Sequence, residues 1–436
     1  METLLYVVGI VFMLIGLALS IGLHEIGHLV PAKLFGVRVG QYMIGFGPRL
    51  WSKRIGETEY GFKALPLGGF ISMSGMYPAS EGKPARGIFR TLVQDARSAN
   101  DETIAGGSED RVFYRLPVWK RVIVMLGGPA MNLILAVIIF TVLASGIGLQ
   151  QGTTTIASVN ECVLPAGTSQ TECESDDPAT PAAEAGVLPG DVLVSIDNTP
   201  VSNFAEATAL VQAAPDERMD MVVRRGGENV HLTITPIAAE RALTDASGQP
   251  KLDDTGEQIV AEVGYVGMSS QMGFVPQPIG TGAVMTAENV GRVANIIATL
   301  PVRLWDVGVS VFTGSERDPD SPLSVVGVGR LAGEVAATDA PVLNRFVVLL
   351  SLLGSLNIAL FVFNLIPLLP LDGGHVAVAL WDGVRKAWAK LLRRPSPAPV
   401  DATRLVPLTV IVAVLLIGMG ALLMVADVVN PITFFQ

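Results

Sequence analysis

The sequence predicts a multi-pass α-helical membrane protein with about four transmembrane helices, a membrane-associated β-hairpin region and an extracytoplasmic α+β domain. Three observations predict it. Of 436 residues, 50% are apolar and only 16% charged, where soluble domains carry about 25% charged residues. Mean hydropathy is +0.49. Four runs reach the roughly 20 apolar residues that span a hydrocarbon core: 4–23, 122–149, 346–369 and 405–426. The same composition excludes a disordered chain, a collagen-like fibre and a disulfide-dense scaffold. A net charge of −10 with no basic patch argues against nucleic acid as a partner.

The first run has no charge, no basic segment before it and no small-residue cleavage site, so it reads as a retained span rather than a signal peptide. It occupies 1–30. A hairpin region follows at 31–117, where polar and apolar residues alternate between glycines. Within it, 81–110 is rich in Ser, Gly, Ala and charge and is expected to be a flexible insert. The second span covers 118–149. An extracytoplasmic domain is expected over 150–275, with a strand at 192–196, a helix at 203–213 and two strands joined at Gly226-Gly227. His231 falls on the second of these as a surface residue. Cys162 and Cys173 share one short exposed loop and are expected to form a disulfide. Residues 276–341 read as a linker holding an amphipathic helix over 280–312, 342–375 as the third span, 376–404 as a cytoplasmic loop and 405–427 as the fourth span.

Orientation follows from the basic residues flanking the spans. Residues 31–121 hold 14 Lys and Arg against 8 Asp and Glu; 376–404 hold 6 against 2; 150–341 hold 9 against 26. The first two segments are therefore expected inside the cell, and the third, with both termini, outside. That places the protein in the plasma membrane, with the lipid bilayer as its surroundings.

The chemistry lies at the ends of two spans. His24-Glu25-Ile26-Gly27-His28 is an HExxH motif at the inner end of the first. Residues four apart share a helix face, so both imidazoles can hold one Zn²⁺ with Glu25 beside them as general base. Ionisable groups extending an apolar span are costly and are read as functional. Catalytic zinc takes three protein ligands, and the third candidate is distant in sequence. In NLIPLLPLDGGH, Pro367 and Pro370 break the third span and hold Asp372 at the membrane edge on the same side. Alone, Asp372 would read as a turn residue; beside HExxH it reads as a ligand. His375 competes for that role.

HEIGH in the first span, GGPAMN in the second and NLIPLLPLDGG in the third resemble the site-2 protease family of intramembrane zinc metalloproteases. The stretch 182–201, AAEAGVLPGDVLVSIDNTPV, resembles a PDZ domain, placed as in the bacterial branch that includes the regulator of sigma-E protease, of actinobacterial type. The resemblance spans nearly the whole chain. It implies His24, His28 and Asp372 as ligands of one Zn²⁺ per chain, Glu25 as catalytic base and Asn364 as a substrate-contacting residue. It also implies that the hairpin region, around Phe46 and a Gly68-Gly69 turn, guides an unwound substrate strand. The implied substrate is a single-pass membrane protein, typically an anti-sigma factor already cut by a site-1 protease. The sequence shows one PDZ-like unit where some relatives have two. The competing reading is a catalytically inactive PDZ-bearing membrane receptor or scaffold. The intact His24, Glu25, His28 and Asp372 count against it.

Overall fold

The computed structural model describes residues 1–78, 89–105, 110–163, 173, 177–243, 253, 258–318 and 321–432. The ends of the expected flexible insert (81–88 and 106–109) and most of the loop between Cys162 and Cys173 lie outside the described residues. The chain divides into two units: Met1–Thr141 with Gly282–Gln436, and Val142–Thr281.

The first unit begins with α1 (Glu2–Leu34). Its run from Thr3 to Leu23 carries no charge, and a helix satisfies every backbone polar group within itself, as lipid requires. Next come β1 (Val39–Ile55) and β2 (Thr58–Met73), which turn at Gly56-Glu57. Residues 41–44 of β1 pair with 59–62 on one side and 69–72 on the other, while 49–55 pair with 58–63. The two strands thus fold over one another, with Met43 buried at the middle. Gly68 and Gly69, expected at a turn, lie within β2. Gly68 has φ +102°, and a Cβ there would come 2.2 Å from the Phe46 ring. This is an irregularity inside a strand, which reads in sequence like a turn.

Helix α2 (Arg90–Ala105) occupies the centre of the expected flexible insert. Asn100 exchanges two hydrogen bonds with the backbone of Tyr77, and Arg97 donates to Asp401 at 2.7 Å. These partners, remote in sequence, hold a segment whose composition reads as loop. Helix α3 (Val118–Thr141) forms the second apolar helix.

The second unit opens with a π-helical turn, Val142–Ile147, and then β3 (Leu149–Val159). It continues through α4 (Pro181–Glu184), β4 (Val192–Ile196), β5 (Thr199–Pro200), α5 (Phe204–Gln212), β6 (Met219–Arg225), β7 (Glu228–Ile234), β8 (Ile237–Ala242), β9 (Val260–Tyr265) and β10 (Met268–Val275). The main sheet is antiparallel in the order β10-β3-β4-β6-β7, with β5 on β4. Inward-facing residues of its strands (Leu193 and, past a register shift in β4, Ile196, with Met221, Val223 and Ile234) meet Ala207 and Val211 of α5 in one core. Asn203 caps α5 by accepting from Glu206 N–H. His231 is exposed on β7, 3.2 Å from Asp220. Cys162 and Cys173 are joined by a disulfide.

The chain returns to the first unit through α6 (Thr281–Ala298) and α7 (Leu300–Thr313). The single amphipathic helix expected here is two, bent by 67° at a short break. Leu300-Pro301 begins α7, because proline fits a helix's first turn and not its middle. Helix α8 (Val325–Ala337), read from sequence as linker, packs against α1: Met13, Ala332, Val335, Ala336 and Leu349 share a core, and a Cβ on Gly9 would lie 2.2 Å from the Ala332 carbonyl oxygen. Helix α9 (Val342–Asn364) ends earlier than the expected 369. After the proline-bearing break, α10 (Asp372–Leu391) replaces the expected loop. Helix α11 (Val406–Val429) is the last. Among the described residues four helical stretches are long and apolar enough to cross a membrane, Glu2–Leu34, Val118–Ile147, Val342–Asn364 and Ala402–Val429, and the bent pair α6–α7 would make a fifth if it were one span.

In the second unit, Asp191 follows the Pro189-Gly190 turn and is buried. Its carboxylate takes a two-pronged ion pair from Arg225, 2.8 and 2.7 Å, and a 2.9 Å bond from Leu188 N–H. The Arg225 guanidinium, with that amide, holds the Asp191 carboxyl below the usual carboxylate range. A carboxyl with a depressed folded pKa stabilises the fold above its unfolded value of about 3.9, and this contribution fades as pH falls through the folded value. Hydrogen exchange at β6 and at 186–191 of the full chain should therefore quicken on acidification. In Asp191→Asn it should already be faster at neutral pH and respond less to acid.

Candidate metal centre

Three lone-pair donors converge where α1 meets the start of α10. His24 Nε2 and His28 Nε2 are 3.3 Å apart; Asp372 Oδ2 is 3.3 Å from the first and Asp372 Oδ1 3.4 Å from the second. One ligand atom from each residue fits within 4.8 Å of the others. The two rings stand edge to face, 4.9 Å between centroids. Among the described residues this is the one group of three or more His, Cys, Asp or Glu side chains so arranged.

The helix explains the histidine pair, since a four-residue spacing brings both rings to one face. The neighbouring helix fixes their direction. His28 Nδ1 lies 2.8 Å from the Val124 carbonyl oxygen of α3. A carbonyl only accepts, so Nδ1 carries the proton and Nε2 presents its lone pair. His24 Nδ1 lies 3.1 Å from the amide of Asn132, also on α3. Lone pairs facing one another repel unless a cation or protons lie between them. Two imidazole nitrogens and a carboxylate form the donor set of a catalytic zinc site, so the residues fit Zn²⁺.

Small residues allow this approach. A Cβ on Gly27 would lie 2.2 Å from the Gly127 carbonyl oxygen, and one on Gly127 would lie 1.9 Å from that of Gly27. A Cβ on Gly128 would lie 2.2 Å from His28 Nε2 and 2.8 Å from His24 Cε1. Backbone therefore meets backbone between α1 and α3, as small residues permit in membrane helices. GGPAMN was legible as a motif; that its glycines make room for imidazoles, and that its Asn132 touches one, was not.

Asp372 is the first residue of α10, where a carboxylate suits the positive end of the helix dipole. The glycines after it are also packing requirements. A Cβ on Gly373 would lie 2.4 Å from the Leu365 carbonyl oxygen, and one on Gly374 2.4 Å from the Leu369 amide nitrogen. Asp382 anchors the same helix: it is fully buried, 2.6 Å from Arg121 of α3 and 3.0 Å from Lys386.

Glu25 is buried beside the histidines, against the hairpin. A Cβ on Gly69 would come 3.0 Å from Glu25 Cγ. Tyr42 of β1 donates to the Gly22 carbonyl of α1 at 2.8 Å, tying the sheet to the helix one turn away. His375, the competing ligand, is not in the cluster; its ring stacks on Tyr77 at 6.2 Å. Asn364 ends α9, half-buried, and among the described residues no hydrogen bond joins it to His24, His28 or Asp372.

The chain is similar to known proteins over most of its length. A model of peptidase family M50 matches residues 12–393. The chain is 34% identical to the zinc metalloprotease Rip1 of Mycobacterium tuberculosis, covering 99% of this chain and 100% of that protein. It is 33% identical to Rip1 of Mycolicibacterium smegmatis, with coverage of 99% and 100%. The metalloprotease MmpA of Caulobacter vibrioides is 28% identical, over 87% of this chain and 88% of its own.

Gly128→Ala should press a methyl group into both rings. Overpacking costs about 1–3 kcal/mol, and displaced ligands lower metal affinity roughly 10- to 100-fold. Zinc per chain, measured after competition with a chelator, should fall while helix content by circular dichroism is kept.

Proposed function

We propose a mechanism from one premise: the chain belongs to peptidase family M50, the site-2 proteases, and is a zinc metalloendopeptidase. His24, His28 and Asp372 hold the ion, one per chain, and Glu25 is the catalytic base. The observation that carries this reading is the convergence of two imidazole nitrogens and one carboxylate from the two ends of the chain, with a buried glutamate alongside. When bound, Zn²⁺ supplies a Lewis acid to the scissile carbonyl and acidifies water. Glu25 takes a proton from the attacking water and delivers it to the leaving amide nitrogen, so that water and peptide become acid and amine. The position of Glu25 against Gly69 puts that proton exchange beside the hairpin.

Asn132 positions His24. If its NH₂ donated to His24 Nδ1, the proton would sit on Nε2, which could not then bind metal. In the structure Asn132 Nδ2 faces the ring and its Oδ1 is buried without a partner, so turning the amide over gives that oxygen the ring N–H as donor. Zinc binding requires the amide carbonyl to accept from Nδ1–H, leaving Nε2 free.

The substrate in this reading is the membrane-spanning segment of a single-pass protein, such as an anti-sigma factor trimmed by a site-1 protease. A peptide bond inside a helix is screened by that helix's own hydrogen bonds. Unwinding costs less if the freed strand pairs elsewhere. Residues 69–72 offer such an edge, since they pair with 41–44 on one side only among the described residues. Gly68 and Gly69 keep that edge open near Glu25, and Asn364, the last residue of α9, contacts the substrate in this reading. The protein is membrane-embedded; our reading makes it multi-pass, with both termini and the second unit outside and the metal centre near the cytoplasmic face. The charge balance of the connecting segments supports it. The second unit is PDZ-like in this reading, and takes the newly exposed substrate end or filters by size.

Wild type and Glu25→Gln should both hold about one zinc per chain. Cleavage of a panel of single-pass substrates should fall about a hundredfold to ten-thousandfold in the variant, the usual range for a lost acid–base group. Cleavage at wild-type rate by Glu25→Gln would remove the base from the scheme. Asn132→Asp keeps an acceptor and should retain zinc. Asn132→Leu should lose about 10- to 100-fold in zinc affinity. Equal zinc loss in both would mean that Asn132 only fills space.

A further inference from the structure

Helix α10 carries an apolar surface that none of the described residues covers. Leu380, Trp381, Val384, Trp388, Leu391 and Leu392 are all exposed. At about 100° per residue they fall within one arc of roughly 120°. Trp381 and Trp388 are 59% and 63% exposed, whereas tryptophan in water-soluble surfaces is mostly covered. The opposite face is committed to the protein: Ala379 and Asp382 are buried, and Asp382 pairs with Arg121.

The charge around this face is one-sided. Residues 376–404 contain two carboxylates, and both are engaged internally, Asp382 by Arg121 and Lys386, Asp401 by Arg97. Among the described residues no carboxylate pairs with Arg385, Lys390, Arg393 or Arg394. Trp381, Trp388 and Leu392 line an open groove of about 470 Å³ together with Arg385 and Arg394. Pro395 and Pro397 of the returning chain form its other wall, and Arg385 reaches the Ala398 carbonyl oxygen at 3.5 Å. The helix starts a short break after the last residue of an apolar helix long enough to span a membrane, so its start is expected near where hydrocarbon gives way to headgroups. Tryptophan and basic side chains are the residues enriched there.

We propose that α10 lies in the membrane interface and that this groove binds an anionic phospholipid, its phosphate on Arg385 and Arg394 and an acyl chain along Trp381, Trp388 and Leu392. An anionic headgroup matches the unpaired arginines, and a chain matches the apolar floor; a zwitterionic lipid brings a choline cation beside its phosphate, which the arginines and Lys386 and Lys390 repel. The proposal needs the membrane assignment and not the peptidase chemistry.

The test uses the full chain in nanodiscs of phosphatidylcholine with and without phosphatidylglycerol. Native mass spectrometry should show phosphatidylglycerol retained over phosphatidylcholine. Each of Arg385→Gln and Arg394→Gln should weaken retention roughly fivefold, the equivalent of about 1 kcal/mol per basic residue near an anionic surface. Brominated phosphatidylglycerol should quench tryptophan emission in wild type more than in Trp381→Phe/Trp388→Phe. Equal retention of the two lipids, a double arginine variant that keeps phosphatidylglycerol, displacement of the lipid by inorganic phosphate, or a dimer that protects Trp381 and Trp388 would each overturn the proposal. Zinc content, measured in parallel, should be unchanged by the arginine substitutions, which separates failure here from failure of the metal-site reading.

Discussion

The metal centre depends on how closely α1 approaches α3. At Gly27 and Gly127 there is no room for a methyl group on either helix, and at Gly128 the space a side chain would fill holds two imidazoles. In lipid, helices are not driven together by hydrophobic burial, because hydrocarbon solvates an apolar face as well as another helix does. Contact must come from close packing and polar links. The glycines supply the first, and the Val124 carbonyl and Asn132 amide, reaching the two rings, supply the second. One crossing thus sets helix spacing, histidine tautomer and ligand direction together.

Other polar groups in the apolar part of the molecule act as pins of the same kind. Asn357 of α9 donates to Ser20 of α1 at 3.0 Å. Arg121 of α3 holds Asp382 of α10 at 2.6 Å. Arg317 holds Asp427 of α11 at 2.6 Å, and the same carboxylate accepts from Ser324 N–H at the start of α8. Such pairs are expensive to bury, and removing one partner costs more than the pair contributes. Their value here is specificity: each names one partner helix among several that are equally apolar.

The sequence made the local features legible. HExxH on a helix, the double proline before Asp372 and the strand pair joined at Gly226-Gly227 all follow from short-range rules, and the structure places them accordingly. Features set by distant partners were not legible. Helix α8 is rich in glycine and valine and reads as linker until α1 is laid against it. Helix α10 has too many charges to look like a span, and its periodicity was hidden behind the motif at its start. Helix α2 is held by Arg97 and Asn100 through partners elsewhere in the chain. Gly68-Gly69 carries a turn signature, but its use is to let the Phe46 ring and the Glu25 side chain pass close to a strand. At the candidate metal centre the three side chains that cluster could be named in advance, while Asn132 could not, because its contact with one of them exists only across a helix crossing.

The separation of the donors along the chain has a consequence for biosynthesis. Asp372 follows His24 and His28 in the chain only after the second unit and α9. In the proposed scheme a chain still emerging from the ribosome therefore lacks one of the three donors until α10 begins, and the centre can close only after that helix is made.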